Sequence, residues 1–158
     1  MKKLFAAVAG VTLLFGSSAV VAVTPDNIVK AQLDSKGLKY KIDKDGDFEI
    51  LYQTVGDRTQ VAWVRSSVNA YGSLKIREIW SPGYKSEGDD FPLLIANSLL
   101  DKNHEVKLGA WEAQGKMAVF VVRIPADANA DQLVDAIELA ANCADKVEME
   151  ITGAKDEY

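Results

Sequence analysis

Apolar residues recur along this chain with two clear periods. Leu38, Tyr40 and Ile42 alternate with lysines, and Phe48, Ile50 and Tyr52 alternate a few positions later. A period of two predicts strands on both sides. Between them Lys44-Asp45-Gly46-Asp47 falls where the chain must reverse, and Asp-Gly favours a turn that needs positive φ. Gly56-Asp57-Arg58-Thr59 predicts a second turn and Gln60 to Ser66 a third strand, apolar on both faces through Val61 and Trp63 on one side and Ala62 and Val64 on the other. After the polar connection Ser66 to Gly72, Leu74 to Trp80 reads as a fourth strand stopped by Ser81-Pro82-Gly83. Leu108 to Glu112 and Met117 to Ile124 form another hairpin around Ala113-Gln114-Gly115-Lys116. The unbroken apolar run Met117 to Val122 predicts a strand buried on both sides.

Three segments carry the helical period instead. Thr24-Pro25-Asp26-Asn27 combines a capping hydroxyl, a proline suited to the first helical position and an acid in the first turn, so a helix is expected from Pro25 to Lys36, closed by Gly37. Gly88-Asp89-Asp90-Phe91-Pro92 supplies acidic caps for a second helix ending near Lys102. Its inner side is predicted from Leu94, Ile95, Ser98 and Leu99. From Ala130 to Thr152, Leu133, Ile137, Ala140, Ala144, Val147 and Ile151 step by fours and threes, with Asp131, Asp135, Glu138 and Asp145 on the other sides and Gly153 as the stop. The order α-β-β-β-(β)-α-β-β-α predicts an α+β fold around an antiparallel sheet.

The beginning of the chain follows neither period. Met1-Lys2-Lys3 is a positive n-region, Leu4 to Phe15 is apolar, and Val20-Val21-Ala22 ends in small residues, so residues 1–22 read as a secretory signal peptide cleaved after Ala22. The rival reading is an uncleaved anchor, since Leu4 to Ala22 approaches the length of a membrane span. A lipid-anchored form would need a cysteine at the cleavage site, and the only cysteine is Cys143. Cleavage leaves residues 23–158, enough to bury one core, and implies a periplasmic or secreted protein. Losing two lysines takes the net charge from −5 to −7, which disfavours nucleic acid and anionic membrane surfaces as partners. A lone cysteine makes no internal disulfide, and Cys143 in an alanine-rich helix reads as a structural thiol.

Candidate chemistry is sparse. Asp43, Asp45 and Asp47 suggest a calcium loop, but such a loop places glycine sixth and glutamate twelfth, whereas counting from Asp43 puts Gly46 fourth and Thr54 twelfth. His104, the only histidine, lies in the polar run Asp101 to Glu105 and reads as solvated. Asp89-Asp90 fits helix capping better than acid-base chemistry. No catalytic, cofactor-binding or metal-binding residue is assigned, and no cofactor is expected. Carboxylate catalysis on the sheet stays open.

The phrases Asp45-Gly46-Asp47-Phe48, Leu93-Leu94-Ile95-Ala96-Asn97, Leu108-Gly109-Ala110-Trp111 and Ile124-Pro125-Ala126-Asp127, taken with the element order, resemble the bacterial YbjN-like family of sensory transduction regulators. The resemblance implies a fold like that of type III secretion chaperones, no catalytic residues, and a tendency to bind or regulate proteins. Unlike those chaperones, which work in the cytosol, this chain opens with an export signal. The expectation is an exported, non-enzymatic protein-binding or regulatory module, with a protein or a second copy as partner and a homodimer as one form. A small-ligand sensor is the alternative. Trp63, Trp80 and Trp111 all fall on predicted strands, and Trp63 and Trp111 are the expected exposed anchors.

Overall fold

A computed structural model describes residues 24–153 and 155–158. Residues 1–22, expected to be a signal segment, lie outside the described residues. The first helix, α1 (Asn27–Ser35), starts later than the proline suggested, because Asp26 rather than Thr24 is its cap: Oδ1 of Asp26 accepts the N–H groups of Ile28 and Val29 at 2.8 and 3.2 Å. Strands β1 (Lys41–Ile42), β2 (Phe48–Gln53), β3 (Thr59–Tyr71) and β4 (Leu74–Lys85) follow, then α2 (Leu93–Lys102), β5 (Ala110–Gln114), β6 (Met117–Pro125) and α3 (Ala130–Thr152). The strands form one six-stranded antiparallel sheet in the order β1-β2-β3-β4-β6-β5.

Two strands outrun their expected ends. The polar stretch after Ser66 continues β3 to Tyr71, because it pairs with β4 from Val68↔Arg77 to Tyr71↔Leu74 across a bulge between Val64 and Val68. The bulge frees carbonyls that the buried Arg77 collects: its Nη1 donates to the Arg65 carbonyl at 2.7 Å, while Nη2 bonds Asp26 Oδ2 at 2.6 Å. One guanidinium thereby ties the bulge to the cap of α1. Likewise, β4 does not stop at Ser81-Pro82-Gly83. A second irregularity between Pro82 and Tyr84 lets the strand pass a residue with no N–H to donate.

The core lies between the helices and one face of the sheet. Val29 and Leu33 of α1, Leu99 of α2, and Leu133, Ile137, Ala140, Ala144 and Val147 of α3 pack on Phe48, Ile50, Ala62, Val64, Ile79, Ala118, Phe120 and Val122. α3 crosses β3, β4 and β6, and its capping box closes as Asn129 Oδ1 accepts from the Gln132 N–H while the Gln132 side chain accepts from the Asn129 N–H, both at 3.0 Å. The second helix departs from expectation at its start: Pro92 takes the cap position without a side-chain bond, and Asp89 reaches Lys116 instead. Its inner side is Ile95 and Leu99, whereas Leu94 is 84% exposed. None of the helices among the described residues is long and apolar enough to cross a membrane.

Candidate functional site

All three helices of the described residues lie against one face of the sheet, and the other face carries apolar residues of its own. The pairings Glu49↔Trp63, Trp63↔Trp80, Trp80↔Val121 and Ala110↔Val121 form one continuous row across five strands. Leu51↔Val61 and the run Pro82↔Val119↔Glu112 lie beside it. Alternation explains the placement: in β6, Ala118, Phe120 and Val122 enter the core, so Val119 and Val121 must point the other way. They are nevertheless 6% and 0% exposed. On that face their cover comes from neighbouring side chains of the sheet, with Trp63 and Trp80 both half-buried. Leu51 is 66% exposed at the edge of this patch.

Polar side chains order one border of the face. The guanidinium carbon of Arg65 stands 4.4 Å from the ring centre of Trp80, and an Arg65 nitrogen lies 2.6 Å from Asp47 Oδ2. Trp80 Nε1 donates to Glu78 at 3.0 Å, and Arg123 bridges Glu78 and Glu112 at 2.9 and 2.6 Å. These contacts fix the Trp80 ring from both its face and its N–H. Trp63 separates two grooves. One, of about 710 Å³, is lined by Lys41, Glu49, Leu51 and Val61; the other, of about 300 Å³, by Trp80, Pro82, Met117 and Val119.

Trp63 lies half-buried on the open face, whereas Trp111 does not lie there. It is only 9% exposed and packs edge-on against Phe120 with ring centres 5.3 Å apart. Its register turns it toward the helices, where it fits because Gly83 has no side chain: a Cβ there would come within 2.6 Å of the indole. Trp111 is thus a core residue, and Trp80 takes its place beside Trp63. The signal that pairs these two tryptophans is the β3–β4 register, which the bulge shifts.

The remaining candidates stand apart from this face or already have partners. In the acidic turn, Asp43 Oδ1 accepts the N–H groups of Asp45 and Asp47 at 2.9 and 3.0 Å, and Asp47 Oδ1 accepts from the Ser66 N–H at 2.6 Å. These carboxyl groups close a hairpin rather than converge on a point. His104 is exposed and Cys143 half-buried, where burial pushes its thiol pKa up. A cluster the sequence reading missed joins Asp145, Glu148 and Asp156, whose carboxylates approach one another within 4.8 Å. Arg58 fills it, bonding Asp145 at 2.6 Å and Glu148 at 3.0 Å. Asp145, expected on an outer side of the long helix, is buried by this ion pair. Burial raises the Glu148 pKa; the Glu157 N–H and the Arg58 charge offset part of that. Compared with known proteins, the chain matches no family model and no curated protein.

Proposed function

We propose that this chain is an exported, non-enzymatic protein-docking module of the bacterial envelope, of the YbjN-like kind, and that its docking surface is the sheet face opposite the helices. One observation carries the reading: Leu51, Val61, Trp63 and Trp80 form a continuous apolar surface over Val119 and Val121, with no helix of the described residues above it. A contiguous apolar patch bearing two tryptophans on a rigid sheet supports this reading, because large aromatics dominate binding energy when they are not core. Export rests on Met1-Lys2-Lys3, the apolar run and Ala22.

A second copy is the partner to test first. On the strands of this face Lys41, Arg65 and Arg123 oppose Glu49, Glu78 and Glu112, so those six charges cancel. Two acidic molecules therefore meet least repulsion here. Strand spacings of about 4.8 Å and residue rises of about 3.4 Å give the apolar patch roughly 300 Å². Standard interfaces take about 800 Å² from each partner, so docking should be weak and reversible rather than permanent. Sedimentation of the chain beginning at Val23, across a micromolar range, should show concentration-dependent association that Trp63→Ser weakens without altering the circular dichroism. A strictly monomeric protein in which Trp63→Ser changes nothing overturns the reading; uptake of an apolar small molecule on this face would support the sensor alternative. Intact-mass analysis of the exported protein should place its first residue at Val23.

A further inference from the structure

Residues Lys155–Tyr158 follow α3 and return to the end of the sheet where β2 turns into β3. Arg58, from that turn, donates Nη1 to the Lys155 carbonyl at 2.9 Å and brings Nη2 within 3.6 Å of Asp156. Glu148 accepts the Glu157 N–H at 2.7 Å. Both anchoring side chains are immobilised by burial and by each other, since Glu148 is fully buried and the Arg58 guanidinium also bonds Asp145. Peptide groups at 155 and 157 are thus gripped by side chains that belong to the fold. Beyond the grip, Glu157 and Tyr158 line the larger groove of the open face together with Leu51, Val61 and Trp63. Tyr158 is half-buried between this groove and a second pocket lined by Tyr84 and Thr152, and its pKa is raised, first by burial and then by the Glu157 and Glu148 charges and by Tyr84.

We propose that Lys155–Tyr158 is a strap that covers one end of the docking face and is displaced when a partner occupies the larger groove. The proposal rests on the reading of that face as the docking surface, and it adds a regulator to it. The bonding pattern favours displacement over unfolding. Lifting the strap breaks the contacts at Lys155, Asp156 and Glu157 but leaves Arg58 paired with Asp145 and Glu148, so the buried charges keep their partners. Segments held by a few peripheral bonds open at a small fraction of the global stability. A covered site binds with an affinity lowered by the fraction of molecules in which it is open.

The test needs no partner, so its result is independent of whether docking itself is found. In the full chain at a dilution where it is monomeric, a soluble gadolinium chelate is added and its relaxation effect is read at the Val61 methyls and the Trp63 indole N–H, both half-buried with the strap in place. Tyr158→Ser should raise the effect at these groups by about twofold or more, as expected for groups passing from covered to open, while the core indole of Trp111 stays unchanged. Glu157→Pro removes the N–H that Glu148 accepts, and should do the same with Tyr158 still present. Unchanged relaxation at Val61 and Trp63 in both variants overturns the strap. A rise at Trp111 as well overturns it too, because that would report general loosening rather than displacement of one segment.

Discussion

Gly46 and Gly83 show two different reasons for a glycine. Gly46 adopts φ 78° in the β1–β2 turn, so Gly46→Val should destabilise by about 1 kcal/mol or more. Asp45→Asn at the neighbouring exposed position should be nearly silent; urea titration of both variants checks the contrast. Gly83 has no unusual backbone. It is small because a Cβ would meet Trp111 at 2.6 Å and the Ala144 carbonyl at 3.1 Å, so Gly83→Ala should cost about 1–3 kcal/mol by overpacking. The first requirement was legible in Asp-Gly between two alternating runs. The second was not, since it arises where β4, β5 and α3 meet, and these are distant in the chain. The tryptophans divide on the same ground. Trp111→Ser should cost about 3 kcal/mol or more, as expected for emptying a core site. Trp63→Ser should cost about 1 kcal/mol or less, since the residue is half-exposed.

Elements whose instructions are local matched expectation most closely. α3 runs from Ala130 to Thr152 as its period requires, because a long apolar stripe and a capping box do not depend on the rest of the molecule. The extension of β3 past Ser66 had no apolar pattern, since an exposed hairpin arm is held by backbone pairing and by Arg77 rather than by burial. The cap of α1 supplies a pH test. Burial opposes ionisation of Asp26, but hydrogen bonds from Arg77 and from the Val29 and Ile28 N–H groups outweigh it and hold the pKa below the ordinary value. A carboxyl lowered in the folded state contributes stability that is present above its unfolded pKa and lost as pH falls through the folded one. Glu148 has the opposite sign: its pKa is raised by burial, so its contribution improves as pH falls. Asp26→Asn keeps a capping side chain but removes the charge facing Arg77. The stability gap between parent and variant should therefore be largest near pH 7 and close as pH falls below the ordinary carboxylate value of about 3.9, measured by urea unfolding at each pH. A gap independent of pH would show that the charge at Asp26 contributes nothing.

At the scale of the whole molecule, stacking α1, α2 and α3 on one side produces the surface on which function is proposed. Each strand's alternation announced two kinds of face, and Val61 to Val64 and Met117 to Val122 announced that both would be apolar. That much follows from side chains pointing to opposite sides of a strand, a property of the backbone alone. The α+β class and the order of elements follow in the same local way, from periods, caps and turns read within a few residues of one another. Where the helices go is a different matter. Whether they divide between two faces or share one depends on how amphipathic stripes far apart in sequence compete for the same sheet, and no local pattern records that competition. The same holds for the row Trp63, Trp80 and Val121, which needs the register of β3 against β4 and of β4 against β6. It holds also for Arg58, an unremarkable turn residue until α3 brings Asp145 and Glu148 to it from about 90 positions away. Local periodicity specifies elements because backbone geometry repeats; long-range packing assigns them neighbours because burial is shared among whatever surfaces meet.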